Sequence, residues 1–263
     1  MELAISLRTW SRRDMRKSET GILAPMEFCE FVRDQIWLAA YPVSLGGARF
    51  EARMTLARRS DGALVLHSPG PVDDAMRAHI EAIGRVAVIV APGNFHHLHV
   101  ASCQRAFPEA EAWICPGVER KQVALRYDGF LGDSPPPCLA ADFMLAGVFG
   151  RFMCEVAMLH RPSRTLLLVD LIENFGDKTA GISWMLKAWW KLFGMWNVPG
   201  PAPEYRFGWR DRAAARAALE KIVAWDFERI VIAHGDLIER DAKAVARRAW
   251  RRDLPQPTEG VRP

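Results

Sequence analysis

Apolar and polar positions along the chain change their period twice. From Arg49 to Arg58, Phe50, Ala52, Met54 and Leu56 alternate with charged or polar neighbours, the pattern of a half-buried strand. Gln35 to Ala40 reads as a strand before it, and Asp61-Gly62 as a hairpin turn into a strand from Ala63 to His67. From Val72 to Ile83 the apolar spacing becomes helical, and Gly84 ends it. The buried run Val86 to Val90, a helix from His97 to Phe107 closed by Pro108, and a strand from Glu111 to Cys115 follow. This β-α-β-α-β order predicts a largely parallel core. Residues 128–142, with Asp133-Ser134-Pro135-Pro136-Pro137, read as a surface loop. Phe152 to Leu159 and Thr165 to Val169 read as strands joined by the tight turn Arg161-Pro162-Ser163-Arg164. An aromatic helical stretch fills residues 176–200. An Ala-rich helix from Arg212 to Trp225, a strand from Arg229 to Ala233 and a helix from Glu239 to Trp250 complete the pattern.

Composition bounds the class. The chain has 263 residues, half of them hydrophobic and a quarter charged, enough to bury a two-sheet core in one domain. The expected division is an arm over 1–30, a domain over 31–253 and a polar tail over 254–263. The net charge of +4 is weakly basic. The cluster Arg247-Arg248-Ala249-Trp250-Arg251-Arg252 reads as the solvated face of a terminal helix. No recognised binding motif accompanies it, so no nucleic-acid partner is expected. Five cysteines without CxxC spacing argue for a reducing compartment, and the expected location is cytoplasmic. Arg8, Arg12, Arg13, Arg16 and Lys17 are followed by no apolar signal region. No stretch approaches the roughly 18 apolar residues of a transmembrane helix.

The candidate chemistry sits at the ends of apolar runs. Asn94-Phe95-His96-His97-Leu98-His99 follows the run ending at Val90, and His160 ends the segment Glu155 to Leu159. Asp170 ends Leu166 to Val169, and His234, followed by Gly235, ends Ile230 to Ala233. Side chains at strand ends of an α/β fold converge on one face, and imidazole with carboxylate suits zinc or iron. His67, before Ser68-Pro69, reads as structural, and His79 as a solvated helix residue.

This order resembles the metallo-β-lactamase superfamily, where a His-x-His-x-Asp-His motif follows a strand. A strand-end His, a bridging Asp and a final His come after it. A closer resemblance, over about residues 35 to 250, is to an uncharacterised family (a domain of unknown function) beside that superfamily. It is carried by Arg53-Met54-Thr55, His67-Ser68-Pro69, Phe95-His96-His97-Leu98, Glu155-Val156, Ser163-Arg164-Thr165-Leu166, Asp170-Leu171-Ile172-Glu173-Asn174-Phe175 and His234-Gly235. The resemblance implies an α/β fold, an αββα sandwich of two mixed sheets with helices outside and metal at the sheet edges. The first motif departs from the superfamily. Setting His97 on the last His puts His96 on the Asp, Asn94 on the second His and Pro92 on the first. A shift of two residues puts Asn94, His96, Leu98 and His99 on the four positions. Both registers deplete one metal position, so one zinc or iron ion is expected rather than two. The implied ligands are His97, Asp170 and His234, completed by His96 or His160. Asp170 would also orient a metal-bound water as the catalytic group. Glu155 and Glu173 would fix imidazole tautomers. Arg164, with Ser163, would face an anionic substrate group or pair with one of those glutamates.

The leading functional expectation is therefore a metal-dependent hydrolase of a small molecule. The alternative is a non-catalytic metal-binding or metal-free protein on the same fold. Trp184 to Trp196 reads as a helix packed on the core, a lid over the site, a homodimer face or a membrane-surface patch. As a lid or dimer face it would make the entrance apolar and favour a substrate with a hydrophobic part.

Overall fold

The computed structural model describes residues 26–254. Cys29–Val32 (β1), Ile36–Leu45 (β2), Ala48–Arg58 (β3) and Leu64–His67 (β4) form an antiparallel run. Asp74–Ile83 (α1) then leads to Val86–Ala91 (β5), Val100–Ala106 (α2) to Glu111–Ile114 (β6), and Val118–Lys121 (α3) to Gly129–Phe130 (β7). β4 to β7 are parallel, and the seven strands stand in chain order. After Pro137–Ala140 (α4), Phe143–Phe149 (β8), Cys154–His160 (β9) and Thr165–Leu167 (β10) build a second sheet antiparallel strand by strand. Trp184–Leu192 (α5), a 3₁₀ turn at Pro203–Phe207 and Arg212–Ala224 (α6) precede Arg229–Val231 (β11), which pairs parallel to β10. Ala242–Ala249 (α7) comes last.

Two mixed sheets with helices outside make the αββα sandwich. Register explains why the second sheet showed little alternation in sequence. Val156 and Met158 of β9 face the first sheet, while Ala157 and Leu159 face α6 and α7. Leu145 and Ala146, Leu167 and Leu166, and Val231 and Ile230 divide in the same way. Both faces are apolar because both are covered. For that reason β8 was not anticipated. Its inner and outer positions are both buried, and Gly147 interrupts the run. Several boundaries differ, and β7 and α4 fall in the span 128–142 read as a surface loop. β1 lies partly inside the span read as an arm. The second helix starts at Val100 rather than His97, because His96 to His99 form the turn that enters it. Most of the arm and nearly all of the tail lie outside the described residues.

α6 carries the clearest local signal. The Asp211 carboxylate accepts the backbone N–H groups of Ala213 and Ala214 at 2.8 and 3.0 Å, capping the helix. Ala215, Ala218, Leu219, Ile222 and Val223 then face the second sheet. Asp211→Ala is expected to lower stability by about 1 kcal/mol. Ile89→Ala, in a central strand with no exposure, should lower it by about 2–5 kcal/mol. Urea midpoints with unchanged slopes check both. Equal losses in the two variants would contradict this packing.

Candidate metal centre

His96, Asp170 and His234 converge where the C-terminal ends of β5, β10 and β11 meet. His96 Nε2 lies 3.3 Å from Asp170 Oδ1 and 3.3 Å from His234 Nε2. His234 Nε2 lies 3.6 Å from Asp170 Oδ1. Four ligands held at zinc bond lengths of about 2.0–2.1 Å in a tetrahedron stand about 3.3–3.4 Å apart. The three donors therefore already have the spacing of a tetrahedral face. All three residues are buried.

Each donor is oriented from behind. His234 Nδ1 donates to the Glu51 carbonyl at 3.1 Å, which leaves the Nε2 lone pair facing inward. Burial, then His96, lower the His234 pKa to about 4, so this ring is neutral at pH 7. His96 Nδ1 meets Ser68 Oγ at 2.9 Å, and Ser68 takes a left-handed φ of 54° in doing so. Burial raises the pKa of Asp170, but His96, His234 and Lys121 outweigh it and hold the carboxylate below its usual range. Behind Asp170, the Glu155 carboxylate accepts the N–H groups of Val169, Asp170 and Leu171 at 2.8, 2.7 and 2.8 Å. Burial and Asp170 push Glu155 up to about 8 against those three donors. Arg53 donates to the carbonyls of Ile232 and Gly235, pinning both sides of His234. Gly235 has φ 90°, and a Cβ there would stand 2.3 Å from the Asn174 carbonyl oxygen. Only glycine lets the two backbones approach so closely.

The structure does not bring the other sequence candidates to this point. His160 was expected beside Asp170 because each ends an apolar run. β9 and β10 are antiparallel, however, with Thr165 opposite His160, so the two ends lie at opposite edges of the sheet. Both His160 nitrogens are engaged, by Ser163 Oγ at 2.7 Å and the Arg58 carbonyl at 2.8 Å. His97 is not part of the donor cluster, and its Nδ1 meets the Gln122 side-chain amide at 3.3 Å. The imidazole that joins Asp170 and His234 is His96, which the first register sets on the superfamily's Asp position. His99 packs edge-on against Tyr41. Arg164 pairs with Asp226 and Glu228, neither of them a candidate glutamate, at an exposed corner at the other end of β10 from Asp170. Glu155 grips backbone rather than imidazole. Glu173 is buried with Oε2 unpartnered among the described residues. Burial, then Asp170, Glu204 and Glu155, hold its carboxyl well above the usual range.

Ser68, Arg53 and Lys121 were missed as positioning groups. Lys121 Nζ donates to the Asn94 carbonyl at 2.7 Å and sits over the Phe95 ring. No local spacing connects any of them to the triad, since each reaches it through long-range pairing. The aromatic helix is legible in outline only. Its inner residues Leu186 and Trp190 pack with Phe175 and Met195, and Phe50 and Phe175 lie 5.0 and 6.5 Å from the His234 ring. This layer covers the His234 side of the triad, while Trp184 and Leu192 face outward.

His67 supplies a test of the buried polar layer. Neither ring nitrogen has a partner among the described residues, and burial, then His96, lower its pKa to about 3 from the ordinary 6.5. The unfolded chain therefore binds a proton between those values that the folded chain refuses. Relative to its value above pH 6.5, stability falls as pH drops toward 3. His67→Leu is expected to be neutral or stabilising at pH 7. Its stability should fall less steeply in acid, by about 1.4 kcal/mol per pH unit. Identical slopes for the two proteins, from urea melts between pH 6.5 and 4.5, would disprove the assignment.

No family model matches the chain, and no curated protein resembles it in sequence. Solved structures do. The DIM-1 metallo-β-lactamase exposed to ceftazidime is 10% identical over 86% of this chain and 97% of its own, with a TM-score of 0.59. The FIM-1 metallo-β-lactamase from Pseudomonas aeruginosa, in a mono-zinc form, is 11% identical over 88% and 98%, with a TM-score of 0.58. A metallo-β-lactamase from Hirschia baltica is 11% identical over 89% and 100%, with a TM-score of 0.57. At such identities the likeness concerns architecture, and the chain has the metallo-β-lactamase fold.

Proposed function

We propose that this protein is a metal-dependent hydrolase of a small molecule, with one zinc or iron ion held by His96, Asp170 and His234. The observation that carries the reading is the donor set: two imidazoles and a carboxylate at tetrahedral spacing. Structural zinc sites close four protein ligands around the ion, whereas catalytic sites use three and leave a position open. Among the described residues the cluster holds three. The mono-zinc form of FIM-1 supports one ion as a workable state of this fold. A bound ion would bring the pKa of a coordinated water toward about 7 and polarise an ester, amide or phosphoester oxygen.

The chain's own residues prepare that position. Glu51 and Ser68 fix the two rings. Glu155 fixes the backbone that carries Asp170, and the Asp170 carboxylate, held ionised, is the group placed to orient an attacking water. Phe50, Phe175 and Trp190 keep bulk water from the His234 side. That roof favours a substrate with a hydrophobic part beside its scissile polar group.

Zinc titrated into chelator-treated protein should bind at one ion per chain and raise the melting temperature. Asp170→Asn and His234→Ala should lose both effects, together with hydrolysis of chromogenic ester and phosphodiester substrates. His160→Ala should lower stability by about 1–3 kcal/mol through its orphaned partners, with zinc stoichiometry intact. Stoichiometric zinc in a variant lacking all three donors would sink the assignment. Stoichiometric zinc without turnover would favour a non-catalytic binding protein.

A further inference from the structure

A second site stands apart from the triad. Between the end of α5, the segment after it and the end of α7 lies a cleft of about 900 Å³. Arg151, Arg210, Arg212, Arg248, Arg251 and Arg252 line it, and none of the metal-centre donors does. The arginines come from the turn between β8 and β9, the residues after the 3₁₀ turn, the first turn of α6 and the end of α7. A basic cluster at the end of one helix is accounted for by the helix dipole and by solvation. That account covers Arg248 and its neighbours. It does not reach Arg151, Arg210 and Arg212, which arrive from elsewhere in the chain.

Some arginines in other parts of the molecule are paired, Arg59 with Asp61, Arg77 with Glu81, Arg164 with Asp226 and Glu228, while others such as Arg85 and Arg105 stand exposed without an ion pair among the described residues. Arg151, Arg210, Arg212, Arg248 and Arg252 make no ion pair among the described residues. The one acidic residue on the cleft wall is Asp253, whose carboxylate accepts the Trp209 indole N–H at 2.9 Å. Asp211 directs its carboxylate to the backbone of α6. The convergence is built into the backbone. Arg151 N–H bonds the Gly208 carbonyl at 2.9 Å, Arg210 N–H bonds the Phe149 carbonyl at 3.2 Å, and Gly150 bridges Trp209.

Like charges held together are favourable only when a counter-charge joins them. The guanidinium fork matches phosphate oxygens in pairs. The volume falls within the roughly 300–1,000 Å³ of small-molecule sites. We propose that this cleft binds a small molecule bearing two or more phosphate groups. The walls around Phe193, Val198 and Trp209 would take its less polar part.

Titration calorimetry with inorganic triphosphate tests the proposal on the full chain, before and after chelator treatment. Binding is expected in both preparations and should weaken as salt rises from about 0.05 to 0.5 M. Arg210→Ala and Arg248→Ala should each weaken it roughly tenfold or more. Arg164→Ala, at the paired corner, should leave it unchanged. Sedimentation with vesicles of phosphatidylcholine, with and without phosphatidylglycerol, separates a free phosphate compound from a lipid headgroup. Sedimentation with the anionic vesicles without triphosphate binding overturns the proposal. So does triphosphate binding that disappears in metal-free protein or survives loss of both arginines.

Discussion

The candidate metal centre depends on a carboxylate that meets no water. Glu155, at the start of β9, is fully buried and accepts three successive backbone N–H groups from the residues that follow β10. Those donors have no strand partner where the chain leaves the sheet, and leaving them bare in an apolar sandwich would cost about 1–3 kcal/mol each. A carboxylate is the one side chain that accepts from all three at once. The bend it stabilises turns Asp170 toward the imidazoles and sends Leu171 and Ile172 into the outer core. Tight packing and the placing of Asp170 thus share one interaction.

This environment also divides the carboxylates. Asp170 faces two imidazoles and the Lys121 ammonium and is held below its usual range, while Glu155 and Glu173, a few residues away along the fold, are pushed above it. Burial acts on all three in the same direction. The difference comes from which neighbours face each group: cationic or hydrogen-bonding for Asp170, acidic for the glutamates. A site built this way favours the anion at Asp170, where a cation would sit; at Glu155 the three backbone N–H donors oppose the upward push.

The sequence exposed the layers more fully than the site. Alternation in β3, the DG turn and the β-α-β-α-β spacing all predicted elements that exist, because each is a local pattern. Asp170 and His234 were legible for the same reason: each follows an apolar run, and β10 and β11 are parallel, so their ends share one edge. The same logic misplaced His160, although the tight turn Arg161 to Arg164 already required antiparallel strands and so opposite ends for His160 and Asp170. The choice between His96 and His97 was closed to sequence. The two are adjacent, and a turn of the chain, fixed by the His96 N–H bond to the Gly93 carbonyl at 3.0 Å, decides which ring faces inward. Ser68 and Arg53 act across distances of 28 and about 180 residues, beyond any periodic signal.

One segment joins the roof, the triad and the cleft. After α5 the chain returns past the candidate metal centre, where Asn197 N–H bonds the Phe175 carbonyl at 2.8 Å. Gly200 and Glu173 exchange backbone bonds at 2.7 and 3.1 Å, and Ala202 N–H bonds the Asp170 carbonyl at 2.9 Å. The same stretch then supplies Tyr205, Trp209 and Arg210 to the cleft wall. Its backbone is therefore tied to the residue that carries the candidate metal ligand, while its side chains face the arginine cluster. A helix or strand in this place would satisfy its own backbone and owe nothing to its neighbours. An irregular strap must take its hydrogen bonds from them. The order of this segment consequently rests on β10 and its continuation, and through them on the buried Glu155.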